Sequence, residues 1–104
     1  MIKVEVSKNQ IKISGHSDYE EFGKDIVCSA ASSIFITTVN AIMKINNDSI
    51  QYEHKEDINN DNNDYSLINI LKHNQVTDKL ILNMIDLLKE LSMKYPKDII
   101  VKER

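Results

Sequence analysis

The chain has 104 residues, of which 41% are hydrophobic and 28% charged, a composition typical of one globular domain and not of a disordered chain. Its formal net charge of −3 argues against non-specific nucleic-acid binding, which needs clustered positive charge. No apolar run approaches the roughly 20 residues of a membrane span, and no signal peptide is recognisable. We therefore expect a single cytoplasmic domain over residues 1–104 with no membrane partner and no direct nucleic-acid partner.

The first half of the chain predicts a β-hairpin, a loop and a long helix. Ile2, Val4 and Val6 alternate with charged residues, and Ile11 and Ile13 repeat this half-buried strand pattern. Residues 15–24 show no period and predict a loop, after which a helix is expected from about Ile26 to Ile45. The apolar stripe predicted for this helix comprises Ile26, Ala30, Ile34, Thr37 and Ala41, with Val27, Ala31 and Thr38 beside it.

The second half predicts two more strands, a second helix and a closing strand. Strands are expected from Ile50 to His54, over Tyr65–Leu71 and over Ile99–Lys102, and the second helix over Thr77–Tyr95. The predicted stripe of this helix is Leu80, Met84, Leu87, Leu88, Leu91 and Tyr95. The order ββαββαβ predicts an α/β chain of the α+β type, a two-layer sandwich in which two helices cover one face of a five-stranded mixed sheet.

Candidate chemistry concentrates in the loop between the second strand and the first helix. The only two glycines, Gly15 and Gly23, bracket this loop; His16 follows the first, and the only cysteine, Cys28, lies five residues after the second. A sequence this poor in glycine places it where the backbone geometry requires it. One cysteine permits neither an intrachain disulfide nor a zinc site of several thiolates, and we expect no metal and no cofactor.

The position of Cys28 favours a nucleophilic role. If Asp25 is the N-cap of the helix, Cys28 lies in the first turn, where free N–H groups stabilise a thiolate and can hold an oxyanion. A base within hydrogen-bond reach of the thiol completes such a site, and His16 is the candidate because a strand-end histidine and a helix-start cysteine can meet across one loop.

Each of these residues also has a structural interpretation. Free cysteines are often small buried hydrophobes, and the structural alternative for His16 is a loop histidine that forms local hydrogen bonds. Asp25 either caps the helix or orients His16, and Ser32, one turn after Cys28, either lines the site or packs.

Other polar and aromatic residues carry weaker signals. His54 is predicted on a strand face and is expected to be a packed or edge histidine, and His73 lies in a polar turn. Tyr19 and Phe22 either grip an apolar substrate side chain or anchor the loop in the core.

The residues GHS at 15–17 and GKDIVCSAAS at 23–32 resemble the signature of the Prp family of ribosomal-processing cysteine proteases. The resemblance implies that His16 and Cys28 form the catalytic dyad and that Asp25 and Ser32 support it. It also implies a substrate-binding loop that includes Gly15, Tyr19, Phe22 and Gly23 and is mobile until substrate binds.

The same resemblance implies a homodimer of two-layer sandwiches. The implied substrate is the amino-terminal extension of the large-subunit ribosomal protein bL27, cut after an aromatic residue. Two other functions stay open from the residues alone. One is a non-catalytic ribosome-assembly binding module in which Cys28 is packed in the core. The other is a thiol-dependent transferase or redox sensor, whose redox form is weakened by the lack of a resolving cysteine.

Overall fold

The computed structural model describes residues 1–15, 22–56 and 64–104, and only the backbone of residues 22–25. Its elements follow the predicted order. They are β1 (Ile2–Val6), β2 (Gln10–Ser14), α1 (Phe22–Ile45), β3 (Ile50–Lys55), β4 (Tyr65–Ile70), α2 (Gln75–Lys94) and β5 (Ile99–Glu103).

The five strands form one mixed sheet in the order β3-β4-β2-β1-β5. Strand β1 pairs with β2 as an antiparallel hairpin and with β5 in parallel, Ile2 lying opposite Ile99. Strand β4 lies between β2 and β3 and is antiparallel to both. The predicted mixed sheet is therefore confirmed, and β3 is one of its two edge strands.

Both helices cover the same face of this sheet, as predicted for an α+β two-layer sandwich. Alternate residues of every strand point to that face, because side-chain direction in a strand has a period of two. They meet one buried side of each helix in a single cluster. Its members are Ile2, Val4, Ile11, Val27, Ala31, Phe35, Val39, Ile42, Ile50, Ile68, Ile70, Ile81, Met84, Ile85, Leu88 and Ile99.

The first helix begins earlier and faces the core differently than predicted. It starts at Phe22 and not near Ile26, so Phe22, Gly23 and Asp25 belong to the helix and not to the loop. Aspartate is favourable both at an N-cap and within the first turn, so its presence did not fix the start.

The predicted stripe of α1 is also wrong by one position. Ile26 and Thr37 are exposed, whereas Val27, Ala31 and Thr38, placed beside the stripe, are buried. Small and apolar residues continue around most of this helix, so the 3.6-residue period did not distinguish the buried side from its neighbour.

Among the described residues, one helix is long and apolar enough to cross a membrane, over Ile26–Ile45, and a third of that window is buried inside the fold. The expectation that no apolar run approaches this length is wrong for α1 on that criterion. Core helices of water-soluble proteins and signal sequences pass the same test, so this finding carries no assignment. In this structure the window packs against the sheet through Phe35 and Ile42.

Candidate active site

A cavity of about 160 Å³ lies between the first half of α1 and the ends of β2, β3 and β4. Three of the residues singled out from the sequence line it, namely Gly15, Cys28 and Ser32. The helix contributes the thiol and the hydroxyl, and the sheet contributes the opposite wall. The fold thus brings these three residues to one cavity.

Cys28 is half-buried, packs against the hydrophobic core and lines the cavity. Its neighbours Val27 and Ala31 are buried against the sheet, so the core fixes the rotation of α1 that turns Cys28 toward the cavity. Partial exposure suits a nucleophile, because a fully buried thiol cannot reach a substrate and is inert.

Gly15 forms part of the cavity wall at the end of β2. The backbone conformation at this position requires glycine. Its φ is +91°, a conformation that L side chains rarely adopt. A Cβ atom at this position would also overlap the carbonyl oxygen of Met1. The backbone at the end of β2 therefore adopts a conformation that requires glycine at position 15.

The early start of α1 changes the expected electrostatics of the thiol. Cys28 is the seventh residue of the helix, so it lies in the second turn and not in the first. Free N–H groups belong to the first four residues, and the field of the helix dipole falls off within the first turn. The prediction that Asp25 is the N-cap is therefore wrong. The prediction that helix N–H groups hold the oxyanion stays untested, but its premise, a first-turn position for Cys28, does not hold. Ser32, exposed one turn further along, provides a hydroxyl in the same cavity wall.

His54 is a cavity residue that the sequence reasoning set aside. It lies on edge strand β3, in agreement with the prediction of a packed or edge histidine. Its side chain lines the cavity together with Cys28. Its Nδ1 lies 2.8 Å from Ser66 Oγ and its Nε2 lies 3.3 Å from Glu56 Oε1. A carboxylate only accepts hydrogen bonds, so in the neutral ring Nε2 donates to Glu56 and Nδ1 accepts from the Ser66 hydroxyl.

One signal in the sequence could have located His54. It continues the alternation of Ile50 and Tyr52, and this alternation places all three side chains on the helix-facing side of the sheet. His73, by contrast, bonds to Asp78 at 2.8 Å and to Asn9 at 2.6 Å. Since Asn9 precedes β2 and Gly15 follows it, His73 lies at the opposite end of that strand from the cavity.

The remaining predicted site residues fall outside what is described. His16 and Tyr19 lie in the segment 16–21, which is outside the described residues. For Phe22, Gly23 and Asp25 only the helical backbone is described. The proposed contact between His16 and Cys28 and the role of Asp25 toward His16 thus stay predictions.

Comparison with known proteins places the chain beside one group of enzymes. A family model described as "Cysteine protease Prp" matches residues 1–100. The chain is 27% identical over 107 aligned positions to the ribosomal processing cysteine protease Prp of Staphylococcus aureus strain Mu50, covering 95% of both chains.

Solved structures share the fold over the full chain. A crystal structure of an essential ribosomal processing protease Prp from Staphylococcus aureus with a covalently linked product peptide matches with a TM-score of 0.80 at 24% identity, covering all of both chains. A second crystal structure, of the same Staphylococcus aureus protease with a substrate peptide, gives a TM-score of 0.81 at 22% identity, again over all of both chains.

Proposed function

The chain belongs to the Prp family of cysteine proteases, and from this premise we propose that it removes the amino-terminal extension of ribosomal protein bL27 by cutting after an aromatic residue. The family gives the enzyme class, a cysteine protease of ribosomal processing. The observation that carries the proposal for this chain is the cavity that joins Gly15, Cys28 and Ser32, because these residues come from the two sequence segments that resemble the family signature.

The proposed nucleophile is Cys28 and the proposed general base is His16. Gly15 lies in the wall of the cavity that contains the thiol, and His16 follows it directly in the sequence. His16 takes the proton of Cys28, and the resulting thiolate attacks the scissile carbonyl carbon. His16 then gives its proton to the leaving amine as the peptide bond breaks and a thioester forms.

Hydrolysis of the thioester completes the cycle. Water attacks the acyl carbon, His16 accepts its proton, and the bond to sulfur breaks to restore Cys28. Each attack leaves negative charge on the carbonyl oxygen, which needs a hydrogen-bond donor about 3 Å away. Ser32 is the proposed donor, because its hydroxyl lies in the same wall one helical turn after the thiol and the free helix N–H groups belong to an earlier turn.

The cavity beside the thiol supports an aromatic residue at the cut. Its volume is about 160 Å³, and a cavity of roughly 150 Å³ accepts a benzene-sized ring. Its wall includes Ile2 and Ile13 from the sheet together with Tyr65. An aromatic side chain bound there would place the carbonyl that follows it close to Cys28.

We also propose that the protein acts in the cytoplasm as a homodimer. The homodimer is the assembly that the family resemblance implies. The cytoplasm is the compartment in which the proposed ribosomal substrate occurs. Light scattering coupled to gel filtration is expected to give twice the mass of 12.0 kDa, and cell fractionation is expected to recover the protein with soluble cytoplasmic markers. A monomeric mass, or recovery outside the cytoplasm, would contradict the respective proposal.

The strongest alternative is a ribosome-assembly module without catalysis, in which Cys28 only packs. The contact of Cys28 with the core favours this alternative, and its opening to the cavity favours the protease. The two functions differ in the reactivity of the thiol. A catalytic Cys28 is expected to react quickly with iodoacetamide and to lose this reactivity in His16→Ala, whereas His73→Ala leaves the rate unchanged.

The deciding experiment is cleavage of a peptide that carries the bL27 extension. The wild-type protein is expected to cut it once, after an aromatic residue, and Cys28→Ala is expected to lose all measurable activity. Cys28→Ser provides a nearly isosteric control for folding and for peptide binding. Cleavage at the wild-type rate by Cys28→Ala would refute the proposed mechanism. A wild-type protein that binds the peptide and leaves it intact would favour the binding module.

A further inference from the structure

The second face of the sheet, which the helices do not cover, has no role in the mechanism above. Core residues such as Val4 and Ile68 point toward the helices, so their neighbours in each strand point to the other side. Within the described residues, neither helix and no further strand lies over this side, which we call the open face. Its charged strand residues are Lys3, Glu5, Lys12, Glu53, Lys55 and Lys102.

The open face is basic although the chain is acidic. Arg104 extends it, because its guanidinium bonds to Glu5 at 3.1 Å. The face then carries five cationic and two anionic side chains, a net charge of +3, whereas the whole chain has a net charge of −3. On the other layer, α2 carries three acidic and three basic residues. A solvated sheet face needs polar residues of either sign, so neither solvation nor composition explains this excess of lysine.

The lysines of the open face form a band that crosses the sheet. In the order of the strands, β3, β2, β1 and β5 contribute Lys55, Lys12, Lys3 and Lys102, and β4 contributes Tyr65. Four inter-strand spacings separate β3 from β5, so the band is about 19 Å long. A site for one small anion would gather its cations at one point. A band of this length instead suits a chain of negative charges.

The charges of this lysine band are available to a partner. Lys3, Lys55 and Lys102 are exposed and form no ion pair with another described residue. Lys12 Nζ lies 4.9 Å from the centroid of the Tyr65 ring, a neutral neighbour that leaves the charge of the ammonium group uncompensated. By contrast, Lys89 on α2 is paired with Glu103 at 2.7 Å.

We propose that the open face binds single-stranded RNA. The lysine band contacts the phosphates and releases their counterions, and Tyr65, half-buried beside the band, stacks on a base. Aromatic rings within basic surfaces bind single strands in this way. An acidic protein would use the lysines and leave the ring without a role, so Tyr65 favours a nucleic acid.

The choice of RNA over DNA follows from the ribosomal substrate proposed above, and no other step depends on that function. The proposal departs from the expectation that the chain has no direct nucleic-acid partner. That expectation used the net charge of −3, which sums over both layers and conceals the basic face.

The experiment measures binding of a fluorescein-labelled, unstructured RNA of about 20 nucleotides by fluorescence anisotropy at several salt concentrations. For the wild-type protein, the logarithm of the binding constant is expected to fall with the logarithm of salt concentration with a slope of about −2 to −3, at roughly −0.7 for each phosphate contact. The combined variant Lys3→Gln, Lys55→Gln and Lys102→Gln is expected to bind at least about tenfold more weakly at low salt. Its slope should be shallower by about 2.

The matched control is the combined variant Lys44→Gln, Lys79→Gln and Lys94→Gln. It removes the same charge from exposed positions on the helices and should leave both the affinity and the slope unchanged. Equal losses in the two triple variants would overturn the proposal, because binding would then follow net charge and not the open face. Absence of RNA binding by the wild-type protein at low salt would also overturn it.

Tyr65→Leu separates RNA from an acidic polypeptide as the partner. Loss of stacking is expected to weaken RNA binding about tenfold and to keep the salt slope, because no phosphate contact is lost. Unchanged RNA affinity in Tyr65→Leu, with polyglutamate displacing RNA at equal charge concentration, would replace RNA by an acidic protein. Cleavage of the bL27 peptide is measured alongside and should persist in the open-face triple variant. A wild-type protein that binds RNA without cutting the peptide would support this inference and refute the protease function.

Discussion

Gly15 shows how one residue connects backbone geometry to the site. Its φ of +91° and the approach of Met1 leave no room for a side chain. We expect Gly15→Ala to lower the free energy of unfolding by about 2 kcal/mol or more, because strained backbone and steric overlap add. Chemical denaturation followed by circular dichroism measures this loss.

The other glycine is the natural control for this substitution. Gly23 lies within α1, where alanine is favoured over glycine by about 1 kcal/mol. Gly23→Ala is therefore expected to keep or raise stability. Equal destabilisation by both substitutions would contradict the backbone argument.

Among the elements, α2 has the best-defined beginning. Asn74 has extended backbone angles, and its side-chain oxygen accepts a hydrogen bond from the Thr77 backbone N–H at 2.9 Å. Replacing such an N-cap with alanine costs about 1 kcal/mol, so we expect Asn74→Ala to lower the unfolding free energy by that amount. Asn83→Ala, at an exposed position inside the same helix, should be neutral or slightly stabilising. A loss of stability in Asn83→Ala as large as that in Asn74→Ala would argue against capping.

An ion pair links the turn that precedes β3 to the turn that follows β4. Lys72 Nζ lies 2.9 Å from Asp48 Oδ2. The hydrogen bond from Lys72, with its positive charge, lowers the pKa of Asp48 below the ordinary value of 3.8. A carboxyl group with a lowered pKa in the folded state stabilises the fold above pH 3.8, and this contribution disappears as the pH falls through the lower value.

We expect an NMR titration of the Asp48 carboxyl carbon to report this lowered pKa directly. Lys72→Met should return the pKa of Asp48 toward 3.8, since both the hydrogen bond and the charge are removed. Lys79→Met, an exposed lysine on α2, should leave it unchanged. Because both partners of the pair are exposed, added salt should also raise the pKa of Asp48. A salt-independent value would argue against the ion pair.

The sequence predicted strands better than helix boundaries, for physical reasons. A strand such as Ile2–Val6 has a strict period of two, and its alternation of charged and apolar residues is compatible only with a half-buried strand. In α1 the apolar residues surround much of the helix, so the stripe was placed one position away from the buried side. In α2 the predicted stripe included Leu87, which is 39% exposed, and omitted Ile81 and Ile85, which are buried, because apolar residues of this helix cover more than one face.

The site was predicted in part because its signals are of two kinds. Cys28 and Gly15 were identified as special residue types in one short segment, and the fold brings them to one cavity. His54 was missed because its contact with Ser66 depends on the register in which β3 pairs with β4. The residues of one strand do not by themselves specify this register.

At the scale of the whole molecule, one continuous core connects both helices to the sheet. Leu88 on α2 is fully buried and belongs to the same cluster as Ile68 on the interior strand β4. A Leu→Ala substitution in a core costs about 2–5 kcal/mol, which is a large part of the 5–15 kcal/mol that stabilises a typical domain. Damage to α2 should therefore be felt in β4, across the sheet from the substitution.

Hydrogen exchange of backbone amides tests this coupling. The slowest amides of β4 exchange through global unfolding, so Leu88→Ala should accelerate them by about 30-fold to several thousand-fold, at a factor of ten for each 1.4 kcal/mol. Leu82→Ala is the matched control, because Leu82 lies on the same helix and is 57% exposed; it should change the rates by less than about threefold. If Leu88→Ala accelerates exchange in α2 alone, the helix opens separately from the sheet. The wall of the thiol cavity would then not depend on α2, whereas a common acceleration means that α2 and the sheet unfold together, so that packing of α2 contributes to holding Cys28 in place.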